Sequence, residues 1–119
     1  MNLHDHLADL EDRARIAFKI LDGDDTGQDR AAFREALALT PDDDLTEEAQ
    51  DYFGPGYEFT PDAGSPVVAV LTVGGPDIHV IRDGADYSLV GYRPGHPGAA
   101  RSSAVITRWG QLLDAQRTV

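Results

Sequence analysis

The chain has 119 residues, 41% of them apolar, which suits one domain with a real core. It has no cysteine, which excludes disulfides, a thiolate metal site and a cysteine nucleophile. Ten basic against 21 acidic residues give a net charge of −11, which disfavours direct binding to nucleic-acid phosphates.

The opening stretch, MNLHDHLADLEDRAR, carries two histidines and four acids in its first twelve residues. A signal peptide needs a basic start and then an apolar run, so a cytoplasmic location is expected. No apolar run approaches the ~18 residues of a membrane span, and no membrane association is expected. Leu3, Leu7, Leu10, Ala14, Ala17 and Leu21 then recur at spacings of 4, 3, 4, 3 and 4. This predicts one long helix with a single apolar stripe, capped by Asn2 and with Asp5 in its first turn. Ile16, Phe18 and Ile20 widen the stripe near its end. The stripe suits a core face or, in a homodimer, a seam between two copies, so the chain is expected to be a monomer or a dimer through this helix.

RAAFREALAL predicts a second helix, with Asp29 as its N-cap and Ala32, Phe33, Ala36 and Leu37 on one face. TPDDDLTEEAQDYF predicts a third. Thr40 serves as N-cap, Pro41 takes the first helical position, and Leu45, Ala49 and Tyr52 form the stripe. Residues 54–66, rich in Gly and Pro, read as a connection. Then the period changes. VVAVLTV is a β-branched run of the kind found in a central, well-buried strand. IHVIR and YSLVGY are two further strands, with GGPD and DGAD as turns. RPGHPG is a loop, and Ser102 or Ser103 caps a last helix. On that helix Val105, Trp109 and Leu112 form one stripe, widened by Ile106 and Leu113.

The expected fold is a single α+β domain. About three N-terminal helices (1–53) are joined by 54–66 to a three-stranded antiparallel meander and a C-terminal helix (67–119), with the helices on one sheet face. The first helix or Tyr57-Glu58-Phe59 is available as a cover or a fourth, edge strand.

Four features bear on function. Residues 22–33 resemble an EF-hand loop, with Asp22, Asp24 and Gly27 at its first, third and sixth places and Thr26 at its fifth. The resemblance implies a calcium or magnesium site at Asp22, Asp24 and Thr26. The sequence departs from the pattern at the twelfth place, where calcium needs a bidentate Glu and Phe33 stands, and at the eighth, where Asp29 replaces an apolar residue. The competing reading is a tight turn between helices, with an Asp cap and a Gly free to take positive φ, and with no cofactor.

His4 and His6 diverge on a helix, and His79 points away from the face shared by Ile78 and Val80. Arg93, His96, Arg101, Ser102 and Ser103 lie in or beside a Gly/Pro loop that feeds a helix start, an arrangement suited to phosphate or carboxylate. No phosphate-loop or dinucleotide fingerprint accompanies them, and no GxSxG, HExxH or kinase signature occurs.

The charge is also lopsided. Residues 1–60 hold sixteen acids and five bases, and residues 61–119 hold five of each. The acidity serves either solubility, as in a salt-adapted protein, or a face that meets a basic partner through Asp42, Asp43, Asp44, Glu47 and Glu48. Inhibitors and immunity proteins of nuclease toxins share this size and charge, a likeness of composition only. The expectation is therefore a non-enzymatic interaction protein. The alternatives are an anion-binding sensory domain using the 93–103 loop and sheet face, or divalent-cation binding at 22–29.

Overall fold

The apolar stripe of the first twenty residues becomes α1 (Leu3–Asp22) in the computed structural model, which describes residues 2–53, 66–72 and 76–117. The Asn2 side chain accepts from the Asp5 N–H at 2.8 Å, closing the start of the helix. Leu3, Leu7, Ala14, Ala17, Phe18 and Ile20 are buried, while Leu10, Ile16 and Leu21 pack against the core from its edge. The whole stripe is used inside one copy of the chain.

α2 (Gly27–Ala36) and α3 (Leu45–Tyr52) lean on α1. Both start at residues other than those expected. The N-cap of α2 is Thr26, and Asp29 is its N3 partner: Thr26 Oγ1 accepts from Asp29 N–H, and Asp29 Oδ2 accepts from Thr26 N–H. This reciprocal pair satisfies two helix-end donors where a lone Asp cap satisfies one. α3 starts at Leu45, with Asp44 as N-cap, and not after Thr40. Thr40–Asp43 is instead a turn in which Asp43 Oδ2 accepts from Thr40 N–H at 2.8 Å. Thr40 and Asp44 are thus rival caps four residues apart. Asp44 prevails because it places Leu45 and Ala49 in the core.

The sheet has four antiparallel strands in the order β1 (Val67–Thr72), β2 (Asp77–Asp83), β3 (Asp86–Tyr92), β4 (Ala99–Ser102). The α+β class and the meander stand as expected, but the count of three strands does not. The fourth strand pairs Ala99 with Gly91 and Ser102 with Ser88. Its AARS sequence has no β-branched or aromatic residue, so it carries no strand signal of its own, and pairing with β3 imposes the conformation. The Tyr57–Phe59 alternative lies outside the described residues.

β1 was expected at the centre and stands at the end of the strand order. Val68, Ala69 and Val70 are nonetheless all buried. A continuous apolar run reports burial on both faces, not position in the sheet. Two register irregularities, at Val67/Ala69 and Val70/Thr72, break up this edge. Between β2 and β3, Gly84 takes φ +66° in a two-residue turn that leaves Asp83 opposite Asp86.

α1 and α4 (Ala104–Arg117) cover the same sheet face. Tyr87, Leu89 and Gly91 of β3 share it with Ile78 and Val80 of β2. Gly91 lets α1 sit close, since a Cβ there would come within 3.3 Å of Leu3 Cδ2. Gly110 does the same for α4: a Cβ would fall 2.3 Å from the Tyr87 ring. Ser103 caps α4, accepting from Ile106 N–H at 3.2 Å. The buried stripe of this helix is Ile106, Trp109 and Leu113, while Leu112 is 40% exposed. The expected stripe through Leu112 is therefore rotated. The helices meet in an aromatic cluster, with Phe18 stacked on Phe53 at 4.2 Å and Trp109 5.8 Å from Phe53 and 5.4 Å from Tyr52. No helix among the described residues is long and apolar enough to cross a membrane.

Candidate functional site

The resemblance of residues 22–33 to a cation loop meets a different use of the same side chains. Asp22 ends α1 and accepts from Nη1 and Nη2 of Arg108, each at 2.8 Å. Arg108 lies over the Phe18 ring at 4.1 Å, so it ties α4 to the end of α1 through charge and ring face together. This pairing holds the Asp22 carboxyl below its ordinary value and pushes the Arg108 guanidinium up. The Thr26 hydroxyl is engaged with Asp29. The Thr26 N–H, with Lys19 nearby, holds Asp29 low as well. Positive φ falls on Gly23 (+80°), where α1 ends, while Gly27 opens α2. Asp24 is exposed, and its N–H closes the α1 terminus onto Lys19 O at 2.9 Å. Among the described residues no group of three or more His, Asp or Glu side chains is placed to hold a metal ion.

The five residues of the expected anion site do not converge. Arg101 is on β4, paired with Glu11 of α1. The Ser102 hydroxyl donates to Tyr87 O at 2.9 Å, and Ser103 caps α4. Arg93 and His96 alone share a groove, and its far wall is the start of α1 with Asn2, Leu3 and His4. Sequence spacing gave no sign that residues about ninety positions apart would face each other. His79 sits on the sheet face away from the helices, 5.8 Å from the Tyr92 ring.

The acidic residues behave otherwise. Asp12 pairs with Arg15, Asp25 with Arg30, Asp29 with Lys19, and Asp114 with Arg82. With Asp22–Arg108 and Glu11–Arg101, carboxylates among the described residues hold six of the ten basic residues. Arg34 is held by backbone, donating to Thr40 O at 2.7 Å and Asp43 O at 3.3 Å, which fastens α2 to the turn before α3.

No lysine or arginine occurs between Arg34 and Arg82. Residues 35–51 hold seven carboxylates: Glu35, Asp42, Asp43, Asp44, Glu47, Glu48 and Asp51. Asp43 is spent on the Thr40 turn and Asp44 on capping α3. Glu35, Asp42, Glu47 and Asp51 are exposed and Glu48 half-buried, and among the described residues none of the five meets a cation. α3 fixes this face. Leu45, Ala49 and Tyr52 turn inward, and the Tyr52 hydroxyl donates to Leu10 O at 3.0 Å, which leaves Glu47 and Asp51 turned out. Burial raises the Tyr52 hydroxyl above the ordinary tyrosine range, so that donor stays protonated and keeps α3 attached to α1. Glu35 and Asp51 lie outside the expected acidic face and stand out only through the pairing of the other acids.

Comparison with protein-family models, with curated proteins and with solved structures finds no match to this chain.

Proposed function

We propose that the chain is a non-enzymatic interaction protein whose α2–α3 lobe binds a basic surface on another protein, in the manner of an inhibitor or immunity protein. One observation carries the reading: six of the chain's ten cations pair with other carboxylates, and Glu35, Asp42, Glu47, Glu48 and Asp51 keep carboxylates with no cation among the described residues. A solubilising surface needs charge but not its concentration in one segment of the chain, here residues 35–51. A docking surface gains from concentration, because a focused field speeds encounter and sets orientation.

The test is capture of partners from the protein's own cell lysate at low and high salt, with two baits. One is the natural chain. The other carries Glu47→Lys and Asp51→Lys, two exposed changes of two charges each that move the net charge from −11 to −7. A basic protein held by the natural chain at low salt, released at high salt and lost by the variant is the expected result. Identical capture by both baits, or an empty bait at both salts, sinks the reading and leaves the acidity as solubility chemistry.

A further inference from the structure

A groove of about 410 Å³ runs between the start of α1 and the β3–β4 connection. That volume falls in the range of ~300–1,000 Å³ typical of small-molecule sites. Its polar lining is Asn2, His4, Arg93 and His96. In a chain with 21 acidic residues, none of the lining side chains is a carboxylate.

Arg93 is the centre of the argument. Lys19, Arg15, Arg30, Arg82, Arg101 and Arg108 all hold carboxylates, and Arg34 holds carbonyls. Arg93 is half-buried and, like Arg13, has neither kind of partner among the described residues, and of these two only Arg93 lines the groove. A guanidinium partly withdrawn from water with no oxygen to meet it is an incomplete arrangement. Beside it, His96 N–H donates to Arg93 O at 3.1 Å, and Gly95 takes φ +78° within the same turn. That closure keeps residues 93 and 96 adjacent. His4 faces them from another element, and Leu3 supplies the buried apolar floor.

We infer that this groove binds the phosphate group of a small phosphorylated organic molecule. Arg93 supplies a fork of N–H donors to two oxygens, and His4 and His96 supply a donor each from either side. Asn2 has its Oδ1 committed to the Asp5 N–H, which leaves its amide N–H₂ as a further donor. A carboxylate offers two oxygens and one charge. A phosphate ester offers three terminal oxygens and close to two charges, which matches this number of donors better. The groove exceeds a bare phosphate, and the surplus beside Leu3 accommodates the organic part.

The inference is independent of the acidic lobe, since it uses none of the same residues. The test is an NMR titration of the whole chain with inorganic phosphate, with sodium acetate, and with sodium chloride at matched ionic strength. Phosphate is expected to give saturating shifts at the amides of His4, His96 and Gly98 in the millimolar range, with acetate binding more weakly and chloride without saturation. Arg93→Gln is expected to weaken phosphate binding about tenfold or more, as loss of a charged hydrogen-bonding partner does. His4→Gln alters an exposed side chain and is expected to weaken it severalfold without disturbing the remaining spectrum. Phosphate shifts no different from those of chloride, or full affinity in both variants, overturn the site. Acetate binding as tightly as phosphate overturns the choice of phosphate.

Discussion

Gly23 and Ala38 stand at the same place in two helix endings and are chemically unalike. Gly23 follows α1 with φ +80°, its N–H on Ile20 O and the Asp24 N–H on Lys19 O. Ala38 follows α2 with φ +54°, its N–H on Glu35 O and the Leu39 N–H on Arg34 O. Both are left-handed caps that satisfy orphan carbonyls. In that conformation a Cβ crowds the following carbonyl oxygen at a cost of roughly 1–2 kcal/mol, so glycine belongs there and alanine is strained. Gly23→Ala is expected to destabilise the fold by about 1 kcal/mol. Ala38→Gly, at an exposed site, is expected to stabilise it by about 0.5 kcal/mol after the added freedom of the unfolded chain is subtracted. Urea midpoints of the two variants check both signs. A destabilised Ala38→Gly chain with an unchanged urea slope would remove the strain account.

At the level of elements, α4 offers the sharpest test of packing. Leu112 and Leu113 are neighbours of identical chemistry, yet Leu113 is 3% exposed and Leu112 40%. Leu113→Ala is expected to cost ~2–4 kcal/mol through lost burial and the cavity left behind, whereas Leu112→Gln should fall within about 0.5 kcal/mol of the natural chain. Thermal melts of both decide it, and equal losses would mean that the helix sits in a different rotation. The same helix shows where sequence reasoning stops. Val105, Ile106, Trp109, Leu112 and Leu113 are all apolar, so periodicity announces a helix but leaves its rotation free. What fixes the rotation is Gly110 meeting Tyr87, a contact between residues 23 positions apart with no local signature. α1 was legible because its apolar stripe and its Asn2 cap agree. The start of α3 was not, because Thr40 and Asp44 both suit an N-cap and only core burial of Leu45 and Ala49 chooses between them. β4 was invisible for a related reason: Ala99–Ser102 are extended because β3 presents an edge, not because of what they are. The candidate sites divide along the same line. The run Asp42–Asp44 and Glu47–Glu48 is plain in the sequence. The facing of His4 and Arg93 exists only in the fold.

Over the whole molecule, the question is what the charge of −11 does for the fold and what it does for a partner. α3 separates the two. It has acids in its first turn, where the helix dipole favours them, and no basic residue in its last. Asp51 lies in that last turn, four residues after Glu47 and on the same exposed side, so it opposes both the dipole and a like charge. For an isolated chain this is a poor choice. Asp51→Lys places a cation at the C-terminal end and converts the repulsion to an i,i+4 attraction. It is expected to stabilise the fold by about 0.5 kcal/mol at low salt, an advantage that fades as salt screens it. The same substitution removes a carboxylate from the proposed docking face, so partner binding should weaken mainly through a slower association rate. Urea titration at two salt concentrations measures the first effect, and association kinetics with a captured partner measure the second. A variant that is more stable and binds less well shows a residue kept for recognition at the expense of the fold. A variant that is more stable and binds as before assigns Asp51 to surface solubility, and it leaves Glu35, Asp42, Glu47 and Glu48 to carry any contact.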